Sequence, residues 1–126
     1  MKVIATLSAK GGTGKSTLAR GLISAAAARG LSTGFIETDP EEATYLWAQN
    51  AGALGYWDLE IQGYSVAGAE ELGEAIVELD DRSGPGAVPS EDSLPPLDIL
   101  VVDTAGARDD LQEALLTAAD LIIVPF

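Results

Sequence analysis

The chain has 126 residues, of which 47% are hydrophobic and 21% are charged, a composition that suits one globular domain with an apolar core. It contains neither cysteine nor histidine, which excludes disulfides, thiolate metal sites and imidazole catalysis. Any chemistry must therefore use lysine, carboxylate, hydroxyl and backbone amide groups. The net charge of −13 excludes a broad nucleic-acid surface, because phosphate neutralisation requires lysine and arginine.

Basic residues are concentrated at the start of the sequence. Residues 1–30 contain five of the seven basic residues and no acidic residue, whereas residues 31–126 contain all 20 acidic residues. A basic segment in an acidic chain suits a polyanionic ligand held at one place. The acidity also fits a simpler interpretation, in which a charged surface maintains solubility.

Apolar runs and helical periodicity predict five strands and four helices in alternation. The predicted strands cover residues 3–7, 33–38, 58–62, 97–102 and 121–124. The predicted helices cover residues 15–29, 40 to about 50, 69–81 and 109–119. This alternation predicts a doubly wound, mainly parallel α/β sheet in one domain over residues 1–126. Such a sheet normally carries helices on both faces, so a last strand at 121–124 predicts either the N-terminal part of a longer protein or an unusually short chain, and we expect the first.

One segment predicts a loop, and the apolar segments predict neither a signal peptide nor a membrane span. Residues 82–96 contain four prolines and predict a mobile surface loop. The apolar run at residues 3–7 is too short for a signal peptide core, and no segment has the length of a membrane span. We therefore expect a cytoplasmic location.

The segment Ala-Lys-Gly-Gly-Thr-Gly-Lys-Ser-Thr, residues 9–17, lies between the first predicted strand and the first predicted helix. That context predicts a phosphate-binding loop, because glycines let backbone amides turn inward and the helix N-terminus attracts anions. Lys15 is then expected to reach the β- and γ-phosphates, and the Ser16 hydroxyl to bind Mg²⁺. The predicted nucleotide-binding residues are Lys10, Gly11, Gly12, Thr13, Gly14, Lys15, Ser16 and Thr17.

Two alternatives compete with a phosphate loop. The ordinary pattern has a glycine where this sequence has Ala9, so a chance glycine-rich turn before a helix is one alternative. A dinucleotide-binding loop is the other. Gly12 and Gly14 match its pattern, but Thr17 stands where its third glycine is required, which weakens that alternative.

Two predicted strands end in an aspartate, Asp39 and Asp103. Ligands of open α/β sheets bind beyond the carboxyl ends of the strands, so both side chains are expected at the edge that carries the phosphate loop. Asp103 follows an apolar strand and suits a hard cation that keeps several waters. A helix-capping or turn aspartate is the alternative for Asp103.

Residues 10–17, Lys-Gly-Gly-Thr-Gly-Lys-Ser-Thr, resemble the deviant Walker A motif of the ParA/MinD family of ATPases, whose mark is an additional lysine, here Lys10. Members of that family do not require a glycine at the position of Ala9, so its absence here fits the resemblance. The resemblance implies that Lys10 crosses an ATP-dependent homodimer interface and touches the nucleotide of the second subunit. A second cation near the phosphates would stabilise the charge on the transferring γ-phosphoryl group. A solvated loop lysine is the alternative.

Two further segments resemble switch regions of the same family. Glu-Thr-Asp-Pro at residues 37–40 resembles switch I, which usually reads Asp-x-Asp-Pro, and Asp-Thr-Ala-Gly at residues 103–106 resembles the start of switch II. The resemblance implies that Asp39 orients the attacking water. Glu37 departs from the pattern and either reaches magnesium through water or is an ordinary strand-end acid. The implied catalytic residues are Lys10, Lys15 and Asp39, the metal ligands Ser16, Asp39 and Asp103, and the switch II residues Thr104 and Gly106.

The resemblance implies Mg²⁺-dependent ATP hydrolysis by water attack, in an ATPase that dimerises on ATP and acts in DNA or plasmid partition or a related positioning role. An activating protein partner is expected, whereas direct DNA binding by this acidic segment is not. Two other functions stay open. One is an ATP-dependent biosynthetic enzyme such as cobyrinic acid diamide synthase or dethiobiotin synthetase, and the other is a nucleotide-binding domain without turnover.

Four aromatic residues follow the predicted switch I: Tyr45, Trp47, Tyr56 and Trp57. They could stack on a base or a partner, but packing in the core or a loop is favoured because aromatic side chains mostly fill cores. The spacing of the two tryptophans resembles the conjugation-associated branch of ParA.

Overall fold

The computed structural model describes residues 1–7, 15–39, 43–55, 61–84, 95–104 and 109–124. Its strands are β1 (Lys2–Thr6), β2 (Thr33–Glu37), β3 (Gln62–Ser65), β4 (Ile99–Asp103) and β5 (Leu121–Ile123). Its helices are α1 (Lys15–Ala28), α2 (Ala43–Ala53), α3 (Ala69–Ser83) and α4 (Asp109–Ala118). None of these described helices is long and apolar enough to cross a membrane.

The five strands form one sheet in the order β3-β2-β4-β1-β5, and every neighbouring pair is parallel. The predicted parallel α/β fold is therefore confirmed. Strand β4 lies at the centre, between β1 and β2, and its last four residues are buried. An apolar run such as this one is what a strand covered on both faces requires.

Alternate residues of β4 contribute to two separate apolar clusters. Val101 packs with Ile23 of α1, and side chains of α2 pack against the same cluster, so we call this side the α1/α2 face. Leu100 and Val102 belong to a larger cluster that includes Leu115 of α4 and residues of α3, on the side we call the α3/α4 face. Helices thus cover both sides of the sheet, as in a doubly wound fold.

The third strand differs from its prediction at residues 58–62. Residues 58–60 lie outside the described residues, and β3 begins at Gln62 and continues to Ser65, three residues beyond the predicted end. Its sequence has no apolar run that would predict a strand. Backbone pairing with β2 sets its place as the outermost strand of the sheet. A Cβ added at Gly63 would lie 2.6 Å from Cζ of Phe35, so a glycine is needed there for the two strands to pack.

The third helix continues two residues beyond its prediction, so residues 82–83 of the predicted loop are helical. Tertiary contacts explain the extra residues. Arg82 Nη2 donates to Gln62 Oε1 at 2.6 Å, and Ser83 Oγ accepts from the backbone N–H of Leu97 at 2.8 Å. Such contacts hold the last turn of α3 against β3 and against the residues just before β4. Residues 85–94 of the predicted loop lie outside the described residues.

Candidate functional site

The carboxyl ends of three neighbouring strands, β1, β4 and β2, lie level with one another and form one edge of the sheet. The register pairs Asp103 of β4 with Thr6 of β1 on one side and with Glu37 of β2 on the other. Asp39 follows β2 by two residues and is half-buried. The sheet therefore brings the two predicted aspartates, Asp39 and Asp103, to the same edge, where ligands of open α/β sheets bind.

The predicted phosphate loop connects β1 to α1. Its residues Lys10, Gly11, Gly12, Thr13 and Gly14 lie outside the described residues. The elements on either side are described: the N–H of Leu7, after β1, donates to the Ile123 carbonyl at 3.0 Å, and α1 begins at Lys15. The first turn of α1 contains no acidic residue, and it places Ser16 half-buried and Thr17 exposed. The predicted strand and helix on both sides of the loop are confirmed.

Asp103 is a buried carboxylate, 2% exposed, at the end of β4. Its Oδ2 accepts a hydrogen bond from Thr44 Oγ1 at 3.0 Å, and its carbonyl oxygen accepts from the N–H of Thr38 at 3.1 Å. Asp103 is the last residue of β4. A buried carboxylate requires polar or charged partners, and Asp103 is bonded to Thr38, just after β2, and to Thr44 in the first turn of α2.

Thr104 and Thr6 cross-link β1 and β4 at the same edge. The Thr104 hydroxyl donates to the Thr6 carbonyl at 2.9 Å, and the Thr6 hydroxyl donates to the Val102 carbonyl at 3.3 Å. Both threonines are buried. These bonds fix the backbone next to Asp103. Gly106, the other predicted switch II residue, lies outside the described residues.

Glu37 holds the N-terminus of α2. Its Oε1 accepts from the N–H of Thr44 at 3.1 Å and its Oε2 from the N–H of Tyr45 at 2.8 Å. These donors belong to the first turn of the helix, where N–H groups in general lack partners within a helix. Burial raises the pKa of Glu37 above its ordinary value of 4.5, and the charges of Asp103 and Asp39 raise it further, whereas the two N–H bonds lower it. The structure thus gives Glu37 a helix-capping role at a strand end.

Arg20 and Thr44 complete this region, although the sequence patterns did not single them out. Arg20 Nε donates to Thr44 Oγ1 at 3.3 Å, and the Arg20 guanidinium lies 5.9 Å from the centre of the Trp47 ring. One signal was present in the sequence: Arg20 lies four residues after Ser16, a spacing that puts both on one side of a helix. The contact with Thr44 depends on how α1 and α2 pack, which no local pattern gives.

The two described aromatic residues after the predicted switch I belong to the packing of the α1/α2 face. Tyr45 meets Phe35 edge-on, with ring centres 6.3 Å apart, and Trp47 packs against the same buried cluster. Both side chains are partly buried and pack against the core, which agrees with the predicted packing role for these two. Tyr56 and Trp57 lie outside the described residues.

The family model of the VirC1 protein matches residues 1–126. The chain belongs to the VirC1 family. Curated relatives named Protein virC1, from Rhizobium rhizogenes and Rhizobium radiobacter, are each 27% identical to it over 125 residues. The alignments cover 99% of this chain and 48% of each relative, so the chain spans about half the length of these VirC1 proteins.

The donors at the edge of the sheet fit a hard cation. Asp103 and Asp39 supply carboxylate oxygens, and Ser16 supplies a hydroxyl in the first turn of α1. In the part of this VirC1-family chain that the structure describes, no three acidic residues are grouped to hold a metal by themselves. Mg²⁺ needs no such group, because it keeps several waters and binds one or two carboxylates together with substrate phosphates. This donor chemistry fits magnesium and not a soft transition metal.

Proposed function

We propose that this chain is the nucleotide-binding part of a ParA/MinD-type ATPase that binds and hydrolyses ATP with Mg²⁺. One observation carries the proposal: the start of α1 follows β1, and β1 pairs with the strand that ends in the buried Asp103. A triphosphate held by the loop at residues 10–17 would lie at the edge where Asp103 ends β4 and Asp39 follows β2. Carboxylates and a phosphate-binding loop at one sheet edge are the parts that an ATPase of this kind requires.

The charged residues take complementary roles in this proposal. Lys15 binds the β- and γ-phosphates, and Lys10 reaches the nucleotide of the second subunit of an ATP-dependent homodimer. Mg²⁺ bound by Ser16 and Asp103, with Asp39, would neutralise charge on the phosphate oxygens. The Asp39 carboxylate also orients the attacking water, and the Gly106 amide contacts the γ-phosphate.

The described contacts support a rigid site. Phosphoryl transfer requires little covalent chemistry from the protein, so most of the catalysis comes from positioning and charge. The hydroxyls of Thr6 and Thr104 tie β1 to β4, and Glu37 fixes the first turn of α2 beside them. These bonds leave the strand ends little freedom to move apart.

The biological role we propose is DNA or plasmid partition, or a related positioning task, with an activating protein partner. The described residues give little support for direct DNA binding by this segment. The exposed side of α3 carries acidic side chains, among them Glu70, Glu74 and Glu78, which would repel phosphates. Contact with DNA would then depend on a partner or on another part of the protein.

Calorimetric titration of the protein with ATP and with GTP, each with Mg²⁺, followed by a phosphate-release assay, tests the proposal. We expect ATP to bind and phosphate to be released slowly without any small-molecule acceptor. Release only after an acceptor is added would favour a biosynthetic enzyme, and binding without release would favour a domain without turnover. Failure to bind either nucleotide would contradict the proposal.

A further inference from the structure

Thr44 connects three elements of the α1/α2 face through one hydroxyl group. Its side chain is fully buried, accepts from Arg20 Nε of α1 at 3.3 Å, and donates to Asp103 Oδ2 of β4 at 3.0 Å. Thr44 itself lies in the first turn of α2. None of the motifs in the sequence requires a threonine at this position.

The two partners of Thr44 fix the direction of its hydroxyl proton. A guanidinium group can only donate hydrogen bonds, and an ionised carboxylate can only accept them. The Thr44 oxygen must therefore accept from Arg20 and point its own proton at Asp103. A hydroxyl with this fixed direction is a selective donor to one oxygen of the carboxylate, which orients that carboxylate.

The backbone of Thr44 is held as firmly as its side chain. Its N–H donates to Glu37 Oε1 at 3.1 Å, and the next N–H, of Tyr45, donates to Glu37 Oε2 at 2.8 Å. Glu37 is in register with Asp103 on the adjacent strand. The backbone that carries the Thr44 side chain is therefore held at a fixed distance from the strand end that carries Asp103.

We propose that Thr44 is a positioning residue, which orients the Asp103 carboxylate for a divalent cation and is itself oriented by Arg20. This inference rests on the proposed function, because it assigns Asp103 to the cation that accompanies ATP. Thr44 contacts neither nucleotide nor cation in this proposal. Its effect on ATP affinity should therefore be seen only when the cation is present.

The test compares the affinity of the full chain for ATP in Mg²⁺ with its affinity in EDTA, for the wild type and for variants of Thr44. We expect Thr44→Val to lower the Mg²⁺-dependent gain in affinity about tenfold, the usual size of one hydrogen bond to a charged group. Affinity in EDTA should change less than about twofold, since the metal-free nucleotide does not depend on Asp103. Thr44→Ser, which keeps the hydroxyl, should restore the gain.

A matched control is Thr33→Val, which removes a buried hydroxyl at the opposite end of the sheet, where Thr33 Oγ1 donates to the Leu31 carbonyl at 2.9 Å. It should leave the Mg²⁺-dependent gain unchanged. Arg20→Met, which removes the donor to Thr44, should lower the gain in the same direction. This variant supplies the answer if Thr44→Val does not fold, as judged by circular dichroism.

The outcomes separate this inference from the proposed function. A wild-type protein that binds no ATP overturns both. A wild-type protein with a clear Mg²⁺-dependent gain that Thr44→Val and Arg20→Met retain overturns only the positioning role. Equal losses in Thr44→Val and Thr44→Ser also overturn it, because they would assign the effect to packing of the side chain and not to its hydroxyl.

Discussion

The two faces of the sheet are built differently. On the α3/α4 face, twelve buried apolar residues form one continuous cluster in the described part of the chain. On the α1/α2 face the buried apolar cluster has four residues among those that the structure describes, and polar contacts from Arg20, Thr44 and Glu37 lie beside it. One face thus holds the sheet by apolar burial, whereas the other holds charged groups in place at the strand ends.

This difference separates stability from function within a small chain. Apolar burial is the main favourable term in folding, so the α3/α4 face should determine the free energy of unfolding. Buried polar networks contribute less net stability, but they fix specific geometry when every group has a partner. Substitutions on the two faces should therefore be distinguishable by which measurement they change.

The largest expected effect is on the α3/α4 face. Leu115 of α4 is fully buried, and Leu115→Ala should lower the free energy of unfolding by about 3 kcal/mol, because it removes buried methyl groups and leaves a cavity. Urea unfolding followed by circular dichroism measures the loss. The neighbouring Leu116 is 70% exposed, and Leu116→Ala should change stability by less than about 0.5 kcal/mol. Similar losses in the two variants would contradict the assigned core.

The second effect is on nucleotide binding. Lys15→Ala should weaken ATP binding about a hundredfold, the size expected from losing an ammonium contact to phosphate. Isothermal titration with Mg²⁺ and ATP gives the affinity. The control is Lys2→Ala, an exposed residue at the start of β1 and thus at the far end of the sheet, which should bind ATP as the wild type does. Unchanged affinity in Lys15→Ala would exclude the loop at residues 10–17 as the phosphate site.

The fold could be predicted largely because burial leaves a local signal. Strand β4 reads as an apolar run because it is covered on both faces, and α3 shows helical spacing of Leu72 and Ile76 because only one side packs on the sheet. The predicted end of β3 was wrong because Gln62–Ser65 is an outermost strand with polar residues and so lacks an apolar pattern. Its position follows from pairing with β2, which is a tertiary property.

The candidate site was predictable in part for the same reason. Asp103 ends β4 and Asp39 follows β2 closely, and the rule for open α/β sheets places such residues at one edge. The role of Glu37 and the bridge from Arg20 through Thr44 to Asp103 were not predictable. Both depend on how α2 packs against β2 and α1, which no local pattern in the sequence gives.

A third prediction concerns the polar contacts that hold α2. Glu37→Ala removes both acceptors of the first-turn N–H groups and should lower the free energy of unfolding by about 2 kcal/mol. Glu71 provides the control, since its carboxylate also accepts a backbone N–H, that of Ala67 at 3.1 Å, but is exposed. Glu71→Ala should cost less than about 0.5 kcal/mol. An equal cost for the two, measured by urea unfolding, would mean that Glu37 does not anchor α2.

The smallest expected effect separates Lys10 from Lys15. Lys10→Ala should leave ATP binding within about threefold of the wild type but weaken ATP-driven dimerisation at least about tenfold, because its contact is with the second subunit. Sizing chromatography with a slowly hydrolysed ATP analogue measures dimerisation. Arg29→Ala, at an exposed position after α1, is the control. Dimerisation that persists in Lys10→Ala would exclude a role across the interface.

The most direct measurement is a crystal structure of the protein with a slowly hydrolysed ATP analogue and Mn²⁺, which anomalous scattering locates in place of Mg²⁺. We predict that the triphosphate lies in the loop at residues 10–17 and that the cation lies beside Asp103, bound to it directly or through one water. A triphosphate bound elsewhere, or a cation distant from the carboxyl end of β4, would contradict the proposed nucleotide site.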